Sequence, residues 1–496
     1  MSTHAQQFYD VTKYGAKKDS SAKATAAIKK AIDAASKAGG GTVYFPAGKY
    51  LTGPIYLKSN ITIFIDAGAE LHFSDNFDDY LPMVQSRYEG VDVMSFSPLF
   101  YAYNETNITI TGRGKINGHG KKWWDYALNF YKTETTRNKY QLQFDSLNKN
   151  MLLPDDPGQM KHGFLRPPFI QPLYCKNILI EGITITNSPF WTVTPEFCEN
   201  VTIKGLTIDN PKSPNTDGIN PSSCRYVHIS DCHISVGDDC ITIKSGKDLP
   251  GRTKATPAEN YTITNCTMLS GHGGVVIGSE MSGDVKKIVI SNCVFDGTDR
   301  GIRIKTARGR GGVVEDIRVD NIVMKNIKDQ AIVLDMEYSK VKPEPVSERT
   351  PQFRNIRFSN MTAYTKKAMY INGLDEMAVS EVSLNDVVFE AETGIVMKNA
   401  KDIVLHNVRV NTKTGSAVTA EKTERLDIDG LTSAKPLAGV PLIKLVNVQN
   451  VLLRNCWPFA GTNIFASVNG ADTKNIKLVN NELGEAAVVY GGEVKR

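Results

Sequence analysis

A repeated segment constrains the fold of this 496-residue chain more than any other feature of the sequence. The segment has the form Asn-Ile-x-Ile, followed by Asn or Asp and then an apolar residue, and successive copies start 21 to 39 residues apart. A fixed minimum interval with variable additions is typical of a solenoid, because insertions are confined to the loops of each coil. Copies start at Asn177, Asn200, Tyr226, Asn260, Lys287, Asp316, Asn355, Glu381, Asp402, Arg425, Asn450 and Asn475.

The alternation of residue types within each copy identifies it as a β-strand. Apolar residues occupy the second and fourth positions, as in Val201 and Ile203, and the residue between them is often polar. A second alternating strand follows a small residue, as in Ile241–Ile243 after Cys240. No helical segment separates the copies, so βαβ units are excluded. The pattern predicts an all-β fold, a single-stranded right-handed parallel β-helix.

Segments outside the repeat complete the predicted architecture. Residues 26–37 carry apolar residues at helical spacing, so we expect a helix that caps the open N-terminal end of the solenoid. Residues 118–172 interrupt the repeat and are rich in aromatic residues. They predict a long loop excursion, either near the cleft of the functional site or as a patch that covers the solenoid surface. We expect a single domain over residues 8–490, preceded by a flexible N-terminus at residues 1–7.

Composition and charge exclude several classes of partner. The chain has 58 basic and 53 acidic residues and no long basic run, so nucleic acid is not an expected partner. No run of about 18 apolar residues exists, so we expect no membrane span. Four of the eight cysteines share one repeat position with apolar residues, and we interpret them as small buried hydrophobes.

The N-terminus bears on localisation. Residues 1–7 have neither the charged region nor the apolar region of a signal peptide. A strand-like segment starts at once at Phe8, so we expect a secreted or periplasmic monomer whose signal sequence is absent from this sequence. A cytoplasmic protein is the alternative.

Alignment of the coils on their second strand places polar residues in adjacent columns. Asp217 and Asp239 share one column, and Asp238 and His272 share the column before it. Carboxylates stacked this closely repel one another, which raises at least one pKa and yields a protonated acid beside ionised bases. Hydrolysis of a glycosidic bond needs that combination, an acid for the leaving oxygen and a carboxylate that activates water or attacks carbon. The columns therefore predict a site that cleaves sugar.

Two cations lie on the outward face of a later coil. Arg303 and Lys305 would neutralise a substrate carboxylate, which indicates an acidic sugar. Each feature also has a simpler interpretation, since paired aspartates are common in turns and cations on a strand face are often only solvated. Their convergence on four consecutive coils favours a functional site.

Four motifs resemble the sequence signatures of glycoside hydrolase family 28, the polygalacturonases, in the same order and at compatible spacing. The resemblance covers most of the chain, from about Val11 onward. It implies a pectin-lyase-like solenoid that hydrolyses α-1,4-linked galacturonan with inversion, without a metal or other cofactor, on a pectic polysaccharide or oligogalacturonide. The motifs are Asn215-Thr-Asp-Gly218, Gly237-Asp-Asp-Cys240, Ser270-Gly-His-Gly-Gly274 and Arg303-Ile-Lys305.

The resemblance also implies catalytic roles. Asp238 would be the general acid, Asp217 and Asp239 would hold the attacking water, and His272 would tune the acid. Rhamnogalacturonan hydrolases of the family usually depart from the Asp-Asp pair and lack the Arg-x-Lys motif. This chain keeps both, so the resemblance favours a galacturonate at the cleavage site.

The remaining site residues are expected to bind substrate. The motifs imply that Asn215 contacts the sugar and that Arg303 and Lys305 bind the galacturonate carboxylate. Tyr338 is a further candidate, because a tyrosine often follows downstream in this family, although no motif fixes its position.

Several alternatives stay open. The opening segment, from Tyr14-Gly-Ala16 to Gly48, resembles bacterial exo-acting members, so exo action is expected. An endo-polygalacturonase, or a rhamnogalacturonan or xylogalacturonan hydrolase of the same family, is the first alternative. A pectate lyase whose aspartates bind Ca²⁺ is the second. A non-catalytic polysaccharide-binding β-helix is the third.

Overall fold

The computed structural model describes residues 8–133, 136–491 and 493–495 of the chain. The expected flexible segment, residues 1–7, lies outside the described residues. The chain divides into two compact units, one up to Cys266 and one from Thr267 onward. The expectation of a single domain over residues 8–490 stays a prediction. Among the described helices, none has the length and the apolar character needed to cross a membrane.

The first residue of every repeat copy adopts a left-handed backbone conformation, with φ between 52° and 63°. Asparagine tolerates this region better than most non-glycine residues, which explains its frequency at the position. Side-chain amides then link neighbouring coils. Asn200 Nδ2 donates to Asn177 Oδ1 at 2.8 Å, and Asn475 Nδ2 donates to Asn450 Oδ1 at 2.9 Å. The repeat therefore encodes a bend together with a ladder of amide hydrogen bonds.

The unit up to Cys266 is a stack of parallel coils in the register of the repeat. Ile178 pairs with Val201, which pairs in turn with Val227, and all three side chains are buried. Because side chains alternate along a strand, these residues form the interior of the stack. Its parallel strands are Phe8–Asp10, Asp19–Lys23, Gly41–Phe45, Gly48–Thr52, Ile55–Tyr56, Ile61–Ile65, Ala69–Phe73, Phe100–Tyr103, Thr106–Gly112, Lys115–Asn117, Ile170–Leu173, Lys176–Glu181, Thr184–Thr186, Glu199–Lys204, Thr207–Asp209, Arg225–Ser230, His233–Ser235, Ile241–Ile243 and Ala258–Thr264. The strands Val84–Tyr88 and Val91–Ser95 form a separate antiparallel hairpin.

The unit from Thr267 onward is also a parallel stack. Ile317 pairs with Ile356, which pairs with Val382, and all three are buried. Several strands continue through the bends of a coil, so they are long. Its strands are Thr267–Ser270, Val275–Gly278, Val285–Asp296, Ile302–Lys305, Val313–Asp335, Gln352–Asn372, Val379–Thr412, Val418–Asp429, Thr432–Ser433, Ile443–Val446, Gln449–Arg454, Trp457–Pro458, Ile464–Asn469, Lys474–Val479, Ala487–Tyr490 and Glu493–Lys495.

The cysteines have the role that the repeat predicts. All eight are free and buried, and none forms a disulfide. The side chains fill interior positions of the coils, as small hydrophobes do.

The N-terminal helix is present at Thr25–Lys37, close to the predicted bounds. Its buried face consists of Ala27, Ile28, Ala31, Ile32 and Ala35, the residues whose spacing predicts it. The helix packs against the strands Phe8–Asp10 and Gly41–Phe45, at the start of the stack. It therefore covers apolar surface at the first coils, as a cap requires.

The excursion at residues 118–172 contains more regular structure than the predicted loop. It forms the α-helices Lys121–Thr133 and Lys139–Leu147, the 3₁₀ helix Gly158–His162 and the start of the strand Ile170–Leu173. Trp123 is fully buried, with ring centroids 4.4 Å from Phe77 and 5.2 Å from Phe96. The excursion therefore shares an aromatic core with the segment around Phe77 and Phe96, which a sequence pattern based on coils does not reveal. The other helices of the described chain are Val11–Tyr14, Phe77–Tyr80 and Asp248–Lys254.

Candidate active site

Three carboxylates converge on one point of the unit up to Cys266. Asp217, Asp238 and Asp239 each place one oxygen within 4.8 Å of the oxygens of the other two. The backbone sets this arrangement, because Gly218 N donates to Asp239 O at 3.0 Å and joins the two coils in register. Asp239 N donates to Asp238 Oδ1 at 2.9 Å, which fixes the turn that carries both. The sequence columns therefore correspond to real proximity for the three aspartates.

Two glycines allow the turns to approach this closely. A Cβ on Gly218 would lie 2.5 Å from Cys240 O, and a Cβ on Gly237 would lie 2.4 Å from Ser213 O. Both distances are far below van der Waals contact, so a side chain at either position would push the coils apart. The glycines of the two motifs are therefore required by the packing of the aspartate turns.

Asp217 is the buried member whose proton affinity is most affected. Burial raises the pKa of Asp217 well above its ordinary value, and the charge of Asp238 adds to this effect, whereas Lys244 opposes it. Its Oδ2 accepts a hydrogen bond from Thr242 Oγ1 at 3.3 Å, and its Oδ1 is buried without a hydrogen-bond partner among the described residues. The shift favours the protonated form of Asp217 in the free protein.

Solvent exposure distinguishes the three carboxylates. Asp217 and Asp239 are 3% and 1% exposed, whereas Asp238 is only partly buried. Asp238 is thus the most solvent-accessible of the three.

Lys244 is a buried cation that affects Asp217 and that belongs to none of the four motifs. Its side chain is 5% exposed, and its Nζ lies 4.7 Å from the centroid of the Trp191 ring. The positive charge stabilises the ionised form of Asp217. The signal that pointed to Lys244 is its repeat position, which Lys305 also occupies in its own coil.

Arg166 connects the excursion to the first aspartate motif. Its NH2 donates to Asn215 Oδ1 at 2.7 Å and its NH1 donates to Pro214 O at 2.7 Å, and the side chain is fully buried. Asn215 has a left-handed backbone with φ of 54°, so the segment before Asp217 bends sharply. Arg166 therefore holds that bend from the outside. No sequence motif contains Arg166, and its contact with Asn215 depends on how the excursion folds.

A second buried charged pair lies in the same unit. Arg87 Nε lies 3.3 Å from Glu196 Oε2, both side chains are 1% exposed, and Gln171 Nε2 donates to Glu196 Oε1 at 3.0 Å. Burial raises the pKa of Glu196 to about 7, because the lost solvation outweighs the charge of Arg87. Neither residue belongs to a motif, so this pair could not be predicted from the sequence pattern.

We expect this unit to lose stability as the pH rises from about 4.5 to about 7. Across that range Glu196 binds more protons in the folded protein than in the unfolded chain, so removal of protons favours unfolding. The contribution is about 3 kcal/mol at most. Glu196→Gln removes the titration while keeping the shape, so its thermal midpoint should depend less on pH. Glu181→Gln, at a partly exposed position of the same unit, is the control; equal slopes in both variants would contradict the assignment.

The unit from Thr267 onward brings the predicted cations and the tyrosine together. Arg303 Cζ lies 5.5 Å and Lys305 Nζ lies 5.2 Å from the centroid of the Tyr338 ring. Arg303 and Lys305 share one face of the strand Ile302–Lys305, and Tyr338 N donates to Thr306 O at 2.9 Å. Tyr338 is 47% exposed, so its ring borders solvent beside both cations. The structure thus places Tyr338, whose position no motif fixes, beside Arg303 and Lys305, which belong to one motif.

His272 lies on the turn between the strands Thr267–Ser270 and Val275–Gly278, and its side chain is exposed. It stands between Gly271 and Gly273, in a turn held by Asp299 N, which donates to Gly271 O at 2.8 Å. The role that the resemblance implies for His272 stays a prediction.

The three aspartates are also the group of described residues with the geometry to hold a metal ion. Carboxylate oxygens are the ligands that Ca²⁺ and Mg²⁺ prefer. The same arrangement also suits a water molecule held between carboxylates, so the geometry alone is compatible with both chemistries.

Comparisons with known proteins relate the chain to one family. Residues 155–404 match the family described as glycosyl hydrolases family 28, and residues 8–151 match the family described as rhamnogalacturonase A/epimerase, pectate lyase-like. The chain is 35% identical over 315 residues to a probable polygalacturonase of Vitis vinifera, a match that covers 61% of this chain and 58% of the relative. It is 29% identical over 400 residues to an endo-polygalacturonase of Pectobacterium carotovorum subsp. carotovorum, covering 77% of this chain and 88% of the relative.

Comparison with solved structures also relates the chain to polygalacturonases. The chain resembles the hyperthermoactive exopolygalacturonase of Thermotoga maritima, with 32% identity, a TM-score of 0.73, and coverage of 82% of this chain and 91% of that one. The predicted fold class, a pectin-lyase-like parallel β-helix with an N-terminal helix, is confirmed. The predicted enzyme class is confirmed as well, and the chain belongs to the glycosyl hydrolases of family 28.

Proposed function

We propose that this protein hydrolyses α-1,4-D-galacturonosyl linkages in polygalacturonate or pectin. The observation that carries the proposal is the grouping of three carboxylates within 4.8 Å, two of them buried and one accessible. In this assignment Asp238 is the general acid, because it is the member that a bound sugar can reach. The names of the relatives, which include endo- and exo-acting polygalacturonases, support the choice of substrate.

Asp217 and Asp239 are assigned to the attacking water. Both are buried in adjacent coils, so they can hold one water molecule between them, and the carboxylate of Asp239 can accept its proton as it attacks. The oxygens lie closer together than the about 6.5–9.5 Å that is typical between acid and base in inverting glycosidases. We therefore infer that the water is held at the edge of the cluster formed by Asp217, Asp238 and Asp239. Attack on the sugar from that edge would then give inversion. His272 is assigned to tuning the acid.

The substrate carboxylate is assigned to Arg303 and Lys305. Both contact the exposed Tyr338 ring, which gives the sugar an aromatic surface beside two positive charges. Asn215 keeps its predicted role in substrate binding through its amide nitrogen, since its Oδ1 accepts from Arg166.

Exo action is the proposed mode, supported by the exopolygalacturonase among the solved structures that resemble the chain. An endo mode, or action on rhamnogalacturonan or xylogalacturonan, is the alternative within the family. We further propose a secreted or periplasmic monomer, since degradation of a pectic polysaccharide takes place outside the cytoplasm.

The experiment that tests the proposal is product analysis from polygalacturonate with EDTA present. We expect undiminished release of saturated reducing sugar, since the mechanism uses no metal, with monomer as the early product of exo action. A calcium-dependent lyase would lose activity in EDTA and form an unsaturated product instead. A ladder of early products would mean endo action, and binding without turnover would identify a non-catalytic β-helix.

A further inference from the structure

The unit from Thr267 onward carries a groove of about 850 Å³ that none of the family motifs enters. Its lining comes from one bend in each of six successive coils. Neighbouring coils are in register, since Ile327 pairs with Thr365, Thr365 pairs with Ala391, and Lys413 N donates to Ala391 O. At about 4.8 Å between coils, the groove extends about 24 Å along the stack. The lining is Gly297, Asn326–Lys328, Tyr364–Lys366, Glu390–Glu392, Asn411–Lys413 and Lys435.

The groove carries more positive than negative charge. Four lysines line it, Lys328, Lys366, Lys413 and Lys435, against two glutamates. Three of the four lysines have an acidic partner: Lys328 Nζ lies 3.1 Å from Asp299, Lys435 Nζ lies 3.4 Å from Glu390 and Lys413 Nζ lies 3.9 Å from Glu392. All three pairs are partly or largely exposed. Exposed pairs of this kind contribute little and are easily exchanged for another anion.

Lys366 is the lysine of the four that has no acidic partner among the described residues. Its side chain is exposed and forms no ion pair within the described part of the chain. Four lysines spread over six coils, with Lys366 outside any ion pair of the described residues, suit an extended ligand that carries several carboxylates rather than a compact anion.

The remaining lining suits a sugar chain. The Tyr364 ring is 47% exposed and offers an apolar surface for one face of a sugar ring. Thr365, Thr412 and Asn411 add hydroxyl and amide groups. Elongated shape, surplus positive charge, an exposed ring and hydrogen-bonding groups occur together here, and an acidic polysaccharide matches all four.

The groove begins in the coil that leads into the strand Ile302–Lys305. Gly297, at its first end, precedes Arg303 and Lys305 by a few residues in the same unit. We propose that the groove binds a stretch of acidic polysaccharide several sugars long, which continues from the galacturonate held at those two cations. This inference depends on the proposed function. It predicts that the protein gains affinity from long substrates that short ones do not provide.

The test reverses charge in the groove with the double variant Lys366→Glu, Lys413→Glu. We expect the KM for polygalacturonate to rise about tenfold, while kcat/KM on digalacturonate stays within twofold of wild type. The effect should shrink in high salt, because exposed charges are screened. Lys366→Arg, which keeps the charge, should behave as wild type.

The matched control is Lys474→Glu, Lys477→Glu, the same charge change at two exposed positions of the same unit outside the groove. An unchanged KM for the polymer in the groove variant, or an equal change on both substrates, would overturn the inference. If the wild-type protein hydrolyses neither substrate, the proposed function fails separately. Affinity electrophoresis in gels containing polygalacturonate then tests binding by the groove directly. Retardation of the wild type and the control that is lost in the groove variant supports the binding site, whereas equal retardation of all three proteins overturns it.

Discussion

Asp238→Asn is expected to lower kcat on polygalacturonate by about 10²- to 10⁴-fold, the usual contribution of a positioned general acid. The amide has the same shape as the carboxyl but cannot transfer a proton to the leaving oxygen. The fold should be unaffected, because Asp239 N donates to Asp238 Oδ1 at 2.9 Å and the amide oxygen of Asn can accept the same bond. Release of reducing sugar measures the rate, and circular dichroism with thermal unfolding checks the fold.

The control for this variant is Asp209→Asn, the same substitution at an exposed strand position of the same unit. It should retain the wild-type rate. A near-wild-type rate in Asp238→Asn would show that another group protonates the leaving oxygen. The most direct candidate would then be Asp217, whose pKa burial already raises.

Arg166→Ala is expected to lower the free energy of unfolding by about 3–5 kcal/mol, equivalent to a thermal midpoint lower by about 3–5 °C for a chain of this length. The guanidinium donates to Pro214 O and Asn215 Oδ1, each at 2.7 Å, and lies 5.0 Å from the Phe190 ring. Its removal leaves these two part-buried acceptors and the buried Pro189 O without their donor, and it leaves a cavity in an otherwise close-packed layer. Urea and thermal unfolding, each followed by two spectroscopic probes, measure the loss.

Activity provides a second measurement for Arg166. Because the side chain holds the bend that precedes Asp217, kcat should fall even at temperatures where the variant is fully folded. Arg166→Lys, which preserves the charge but not the planar fork, should lie between the two proteins. Arg113→Ala, at an exposed position of the same unit, is the control and should change neither quantity. Wild-type stability in Arg166→Ala would mean that solvent or a rearranged loop replaces these contacts.

The aspartate group was predictable because the repeat makes sequence position equivalent to spatial position. Hydrogen bonding fixes the rise from one coil to the next at about 4.8 Å, so residues at the same place in neighbouring coils must lie side by side. Asp217 and Asp239 follow directly from this rule, and Asp238 follows as the neighbour of Asp239. The same rule predicts the buried faces of the strands and the free cysteines.

The rule does not apply to the excursion at residues 118–172. Its segments have no repeat partner, so their contacts depend on side-chain packing between residues far apart in sequence. Phe144 of the helix Lys139–Leu147 lies in one buried cluster with Trp191, and Trp191 in turn contacts Lys244. Arg166 reaches Asn215 across 49 residues. Neither contact leaves a periodic signal.

By itself, the sequence determined the β-helical fold, the register of its coils and the three aspartates, because periodic hydrogen bonding converts regular spacing into fixed neighbours. The tertiary structure alone decided which two carboxylates are buried and which one stays accessible, that burial raises the pKa of Asp217, that Lys244 opposes this shift, and where Tyr338 lies. Those properties depend on which segments exclude water from a side chain, and burial by a non-repeating segment is set by packing rather than by spacing.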